Sequence, residues 1–216
     1  LRSWFRFYQY LRKNKYQTVC DFTGDFAGIP IFIAYLAGVN NRISFYRESR
    51  PQFSDSQFKS FYADFVRKLV SLNSSKVLSN SKEALNYFYK DNLPNNSKVI
   101  YNGLNRRVMS VSPSKYRLKL DLPANKIVIG HVGRFTPAKN HTLIFELAKE
   151  MEKDYPEILF AFCGKGVVEA LNKKNNIPKN ILCMGICDNI WEFLFAIDIF
   201  IFPSLNEGQP NALIEA

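Results

Sequence analysis

The chain is poor in the residues that staple, ligate or anchor a protein. Among 216 residues it holds four cysteines and two histidines. That density of cysteine does not build a disulfide scaffold. Cys20, Cys163, Cys183 and Cys187 are therefore expected as reduced core thiols of a cytoplasmic protein, the first three of these in or beside apolar runs that read as buried strands, Cys20, Cys163 and Cys183. Cys183 and Cys187 have no second Cys or His pair at zinc spacing, so no metal is expected. Long apolar runs are missing as well. The longest, Gly28 to Val39, has 12 residues, against the ~20 that a helix needs to cross a bilayer. Residues 1–15 alternate Arg and Lys with aromatics and lack the apolar centre of a signal peptide. There is no internal repeat and no low-complexity tract. The chain starts at Leu1 and stops in what reads as the beginning of a helix, so it is expected to be a piece of a longer protein, incomplete at both ends.

Acidic residues are scarce in the first half only. Residues 1–120 carry 20 Lys/Arg against 7 Asp/Glu, net +13, and residues 121–216 carry 9 against 12, net −3, together the formal +10. A basic half joined to a mildly acidic half predicts two domains with different partners. The basic half suits an anionic membrane, an acidic acceptor or nucleic acid.

Apolar strands alternate with amphipathic helices throughout. Strands are expected at Thr18–Phe22, Arg42–Arg47, Lys76–Ser81, Lys98–Asn102, Lys126–Val132, Leu159–Cys163, Ile181–Met184 and Ile199–Phe202. Between them, Phe58, Phe61, Tyr62, Phe65, Leu69 and Leu72 recur at spacings of three and four, which predicts a helix with that face in the core. Further helices are expected at Ile31–Gly38, His141–Asp154, Val167–Asn175 and Asn189–Ala196, with another starting near Pro210. Runs such as Ile127–Gly130 and Ile199–Phe202 are continuously apolar, as in a parallel sheet covered on both faces. The pattern predicts a doubly wound α/β fold. Asn105–Asn125 lacks periodicity and reads as a linker, giving domains of 1–118 and 119–216.

In such sheets ligands bind beyond the carboxyl ends of the strands. Four strand ends in the second half carry polar residues that a core does not need. The first is Gly130-His131-Val132-Gly133-Arg134-Phe135-Thr136-Pro137-Ala138-Lys139-Asn140. Gly133 lets a ligand approach the backbone, Arg134 offers a bidentate fork and Lys139 a mobile charge, together matching a diphosphate. Taken alone, the segment is also readable as a solvated basic loop. The second, Cys163-Gly164-Lys165-Gly166, is a weak phosphate signal without the third glycine of a dinucleotide fingerprint. The third, Gly185-Ile186-Cys187-Asp188, offers Asp188 as a helix N-cap. The fourth, Pro203 to Ala216, contains Glu207, Gly208, Gln209, Pro210, Asn211, Ala212 and Glu215. Pro210 suits a first helical position, where free N–H groups meet anions. Glu207 and Glu215 would flank that start and accept hydrogen bonds from sugar hydroxyls.

These segments in this order resemble the retaining GT-B glycosyltransferases of family 4. The resemblance runs from about Tyr16 onward, taking in Ile100-Tyr101-Asn102-Gly103-Leu104 and Asp198-Ile199-Phe200-Ile201-Phe202-Pro203-Ser204. It implies two Rossmann-like domains facing a cleft and a nucleotide-diphosphate-sugar donor, with UDP the expected nucleotide. It also implies catalytic roles for Glu207, Arg134 and Lys139, with Arg134 and Lys139 on the diphosphate, Glu207 on the transferred sugar and Glu215 on the ribose. Gly133 and the backbone from Gly208 through Gln209, Pro210 and Asn211 to Ala212 complete the donor site, and neither a metal nor a cofactor is expected. Many members have a His in the first domain. Here the corresponding stretch is Phe45-Tyr46-Arg47-Glu48-Ser49-Arg50, whose Arg47 and Arg50 are candidates for an anionic acceptor. A glycan or lipid-linked acceptor at the inner face of a bacterial membrane would satisfy the basic first half. The alternatives are a noncatalytic nucleotide-sugar-binding or scaffold protein, and a nucleic-acid binder. The second is disfavoured because the aromatics sit at helical core spacing rather than as a stacking platform.

Overall fold

Strand–helix alternation resolves into two parallel sheets in a computed structural model that describes residues 2–47, 57–90, 92–104, 112–173 and 176–216, with only the backbone of 57–59. The chain divides into two compact units. One comprises Leu1–Gly103 with Asn206–Gln209, the other Leu104–Leu205 with Pro210–Ala216.

The first unit opens with helix α1 (Arg2–Asn14) and continues through β1 (Thr18–Asp21), α2 (Gly28–Leu36), β2 (Asn41–Tyr46), α3 (Gln57–Asn73), β3 (Lys76–Ser79), α4 (Lys82–Tyr89) and β4 (Ser97–Val99). The strands lie in the order β1-β2-β3-β4, all parallel, in registers such as Thr18↔Asn41 and Ile43↔Lys76. Right-handed crossovers that always step the same way put α2, α3 and α4 on one face. There Ile31, Val70, Val77, Leu85 and Phe88 form a core. Helix α2 ends as expected, with Gly38 at φ +80° just beyond its last turn.

Helix α3 is turned the opposite way from its apolar spacing. Ala63, Val66 and Val70 are buried, whereas Phe61 (74% exposed), Tyr62, Phe65 and Leu72 (70%) face outward. Gly28 gives the reason: a Cβ there would lie 2.3 Å from the Val66 carbonyl oxygen. The two helix backbones touch, and only small or β-branched residues fit between them. The same inward side brings Arg67 onto buried Asp25 (2.9 Å), which also accepts from the Tyr46 hydroxyl (2.9 Å). Tyr46 and Tyr89 share a further hydroxyl–hydroxyl bond of 2.9 Å. Burial pushes Tyr89 up to about 12. Cys20 is exposed rather than buried.

The second unit runs α5 (Pro113–Lys119), β5 (Ile127–Val132), α6 (His141–Asp154), β6 (Ile158–Cys163), α7 (Val167–Asn172), β7 (Ile181–Cys183), α8 (Ile190–Ala196), β8 (Ile199–Phe200) and α9 (Asn211–Glu215). Its order is β7-β6-β5-β8, again all parallel. Strand β6 is buried along its whole length. Its even residues Ile158, Phe160 and Phe162 pack with Ile144, Phe145, Val167 and Leu171 on one face. Its odd residues Leu159, Ala161 and Cys163 pack with Leu122, Val128, Phe193 and Ala196 on the other. Two-sided burial is why ILFAFC is apolar without alternation.

Part of the stretch read as a linker is helical. Arg117 of α5 donates to the carbonyls of Ala196 (2.8 Å) and Lys126 (3.1 Å) and pairs with Asp198, tying α5 to α8 and β5. These bonds all start from one side chain and leave no periodicity to read. The cap of α8 is Asn189, which accepts from the Trp191 N–H, not Asp188. The expectation of four reduced thiols also fails for two of them: Cys163 and Cys187 form a disulfide across Cα atoms 6.0 Å apart. Parallel pairing of β6 with β7 brings the ends of both strands side by side, a proximity that cysteine count alone does not reveal. Cys183 is free, and burial raises its thiol to about 11. Among the described residues no helix is long and apolar enough to cross a membrane.

Candidate anion site at the strand ends of the second sheet

The chain steps from β5 to β6 to β7 in one direction and returns to β8 on the other side of β5. The reversal makes the carboxyl ends of β5 and β8 the switch point, where an open α/β sheet leaves a crevice. The β5–β8 ladder stops at Gly130↔Phe200, extended by one bond from Ile201 N–H to the Gly130 carbonyl (2.9 Å). Beyond it the chain after β5 becomes the loop carrying Gly133, Arg134 and Lys139. The chain after β8 runs alongside, its Leu205 N–H donating to the Ala138 carbonyl (2.8 Å).

Backbone hydrogen bonds lace this loop to its neighbours. Gly133 N–H donates to the Cys163 carbonyl (3.0 Å), Phe135 N–H to the Lys165 carbonyl (2.9 Å), and Gly164 N–H to the Gly185 carbonyl (2.6 Å). The glycines are there for contact: a Cβ on Gly164 would stand 1.9 Å from the Gly133 carbonyl oxygen. Gly166 (φ +83°) then turns the chain into α7. Arg134 is exposed at the mouth of the loop. Lys139 is half-buried, its ammonium 5.1 Å from the centre of the Phe202 ring. The loop thus presents two cations, one exposed at its mouth and one seated on an aromatic floor.

Sequence reasoning passed over the two histidines that bracket this loop. His131 and His141 are 1% and 2% exposed, and their rings meet edge to face at 4.8 Å. Burial first, then the neighbouring His131, lowers His141 to about 4. A signal was present: the only two histidines of the chain stand ten residues apart around its glycine–cation segment.

The acidic segment divides between the units. Pro210 is the N-cap of α9, one position earlier than expected, and Asn211 begins the helix. Pro210, Ala212 and Glu215 are half-buried in the second unit, and Asn211 is exposed there. Glu207, Gly208 and Gln209 are grouped with the first unit. There Gln209 accepts through its side chain from Asn102 N–H and through its carbonyl from Asn102 Nδ2 (3.0 Å). Gly208 is held so closely that a Cβ would fall 2.3 Å from the Arg47 carbonyl oxygen and 2.6 Å from Asn80 Oδ1. Arg47 itself is exposed just past β2, and Arg50 lies outside the described residues. Among the described residues no three His, Cys, Asp or Glu side chains gather as metal ligands.

Two parallel α/β units, the second with a glycine–cation loop at its switch point, define the class: the fold is α/β with GT-B structural neighbours. Residues 114–216 match the family Glycosyl transferases group 1. Over 100% of this chain and 59% of the relative, the sequence is 29% identical to the UDP-Gal:alpha-D-GlcNAc-diphosphoundecaprenol alpha-1,3-galactosyltransferase of Escherichia coli. It is 27% identical to the capsular polysaccharide biosynthesis glycosyltransferase CapH of Staphylococcus aureus, over 98% of this chain and 60% of CapH. HepE of Anabaena, solved in complex with UDP and glucose, superposes with a TM-score of 0.78 at 19% identity, over 99% of this chain and 59% of HepE. The chain therefore has homologues among the glycosyltransferases of bacterial polysaccharide biosynthesis. It spans about half to three fifths of the length of the curated relatives it matches.

Proposed function

We propose that this chain carries the donor site of a glycosyltransferase that moves a hexose from a UDP-sugar to a hydroxyl of a membrane-linked glycan intermediate, with retention of configuration and without a divalent metal. The observation that carries the reading is the loop with Gly133, Arg134 and Lys139 beside the trailing end of β8. It lies in the segment that matches Glycosyl transferases group 1. Cleavage of the bond between the anomeric carbon and the phosphate oxygen leaves a nucleoside diphosphate with growing negative charge. Arg134 and Lys139, carried on one loop, would offset that charge where it develops. Glu207 would accept from hydroxyls of the transferred sugar and Glu215 from the ribose. Backbone groups of Gly133 and of Gly208 to Ala212 would complete the donor contacts.

The acceptor side rests on charge and on the names of relatives. The E. coli relative is named for a diphosphoundecaprenol-linked acceptor. Arg47 and Arg50 are the cations we assign to the acceptor's anionic part. Helix α1 supports attachment to an anionic bilayer at its cytoplasmic face. It has no acidic residue, exposes Arg2, Arg6, Arg12 and Lys13, and leaves Trp4, Phe5 and Tyr10 largely in solvent, while Leu11 anchors its inner side. Each such cation near an anionic surface contributes about 1 kcal/mol. The test is turnover by the full-length gene product with UDP-hexoses and a diphosphoundecaprenol-linked sugar, with EDTA and then with Mg²⁺. UDP release matched to an α-linked product from an α-linked donor is expected. Tight UDP-sugar binding with no transfer to any such acceptor would favour a noncatalytic binding protein instead.

A further inference from the structure

The backbone ladder between β5 and β8 ends at Gly130, with two residues between it and the start of the cation loop at Gly133, and a side chain takes over. His131 reaches across the switch point and puts Nδ1 2.9 Å from the Ile201 carbonyl oxygen. A carbonyl only accepts, so Nδ1 carries the hydrogen, and in the neutral ring Nε2 holds the lone pair. The Nε2 edge supports the loop. A Cβ on Gly133 would lie 3.0 Å from it and 3.2 Å from Cδ of Lys139. Ring, glycine and lysine stem are thus packed against one another. At the far end of the loop His141 opens α6, its ring 4.8 Å from that of His131 and 4.9 Å from that of Phe135. The ring of His141 fills space as a plate, and a backbone hydrogen bond with Gly133 opposes the burial that lowers its pKa.

We propose that His131 and His141 are positioning residues: an imidazole clamp that closes the base of the loop and sets Gly133 and Lys139 for the diphosphate. The inference rests on the donor-site reading given above. The clamp explains why polar rings are buried here at all. Phenylalanine at 131 would keep the ring contacts but leave the Ile201 carbonyl without its donor, unlinking β8 from the loop. Asparagine would keep a donor near the Nδ1 position without the ring.

The test uses the full-length gene product and UDP as probe. Calorimetric titration is expected to show UDP affinity at least tenfold weaker for His131→Phe and for His141→Ala. His131→Asn should return it to within about threefold of wild type, and His141→Phe, which keeps the plate, should stay near wild type. Melting temperatures taken in parallel separate a misplaced loop from a lost fold. Long-range ¹H–¹⁵N spectra give a readout independent of UDP, with the His131 ring proton expected on Nδ1. His131→Phe and His141→Ala binding UDP within twofold of wild type would overturn the clamp alone, as would a His131 proton found on Nε2. A wild type that binds no nucleoside diphosphate would overturn the donor-site reading, and the clamp with it.

Discussion

Replacing Gly164 with alanine tests how the strand-end loops are held together. The added Cβ would stand 1.9 Å from the Gly133 carbonyl oxygen and 2.6 Å from its carbon. Because those atoms are backbone, no rotamer relieves the contact, and one loop must move by about 1 Å to restore a van der Waals separation. Overpacking of this kind costs about 1–3 kcal/mol. The displaced groups include the bonds from Gly133 N–H to Cys163 and from Gly164 N–H to Gly185, each contributing about 1 kcal/mol. A total of roughly 3–5 kcal/mol lowers the melting temperature by about 6–20 °C in a chain of this size. Gly38 is the control, with φ +80° and nothing within 4 Å of its Cβ position. Its substitution by alanine bears only the left-handed backbone cost of about 1 kcal/mol. Calorimetric melting of Gly164→Ala and Gly38→Ala, with UDP titration of each, separates clash from conformation. The two variants melting together, with UDP affinity untouched in both, would refute the interlocked loops.

Other outcomes follow from the same structure. Asp25→Ala leaves Arg67 and Tyr46 facing a vacant partner inside the first unit, and should destabilise it by about 3–5 kcal/mol in urea unfolding. Stability should also fall on mild acidification. His141 has a folded value of about 4, below its ordinary ~6.5, so the unfolded chain binds the extra proton. The resulting loss begins as pH drops through 6.5 and is complete below 4. His141→Phe should flatten that part of the stability–pH curve. A bulkier residue at 208 meets the Arg47 carbonyl and Asn80, so Gly208→Val should abolish transfer and weaken calorimetric binding of the intact UDP-sugar.

The strands and most helices were legible because they depend on periodicity and local chemistry. His141–Asp154 was read to the residue, whereas the apolar runs read as covered on both faces, Ile127–Gly130 and Ile199–Phe202, each begin with an exposed isoleucine. Helix α3 was readable as a helix but not in orientation. Its larger side chains mark the outer face because α2 approaches through Gly28, a fact about a neighbour 38 residues away. Helix α5 was lost in the apparent linker for a similar reason, since Arg117 fixes it through carbonyls and Asp198 at 9 to 81 residues' distance. The cation loop was visible because Gly133, Arg134 and Lys139 are adjacent in sequence. The histidines beneath it carried no readable role because their partners, Ile201 and each other, meet only once the sheet reverses direction. The Cys163–Cys187 pairing likewise depends on β6 and β7 lying side by side.

The most direct measurement is calorimetric titration of the full-length gene product with UDP, GDP and ADP, repeated with Arg134→Ala. A charge-assisted contact from this arginine contributes about 1.5–3 kcal/mol, or roughly 10- to 150-fold in affinity. The account predicts that wild type binds UDP in preference to the other two and that Arg134→Ala weakens it by that factor. Equal binding of UDP by wild type and Arg134→Ala, or no binding of any of the three by wild type, would contradict it.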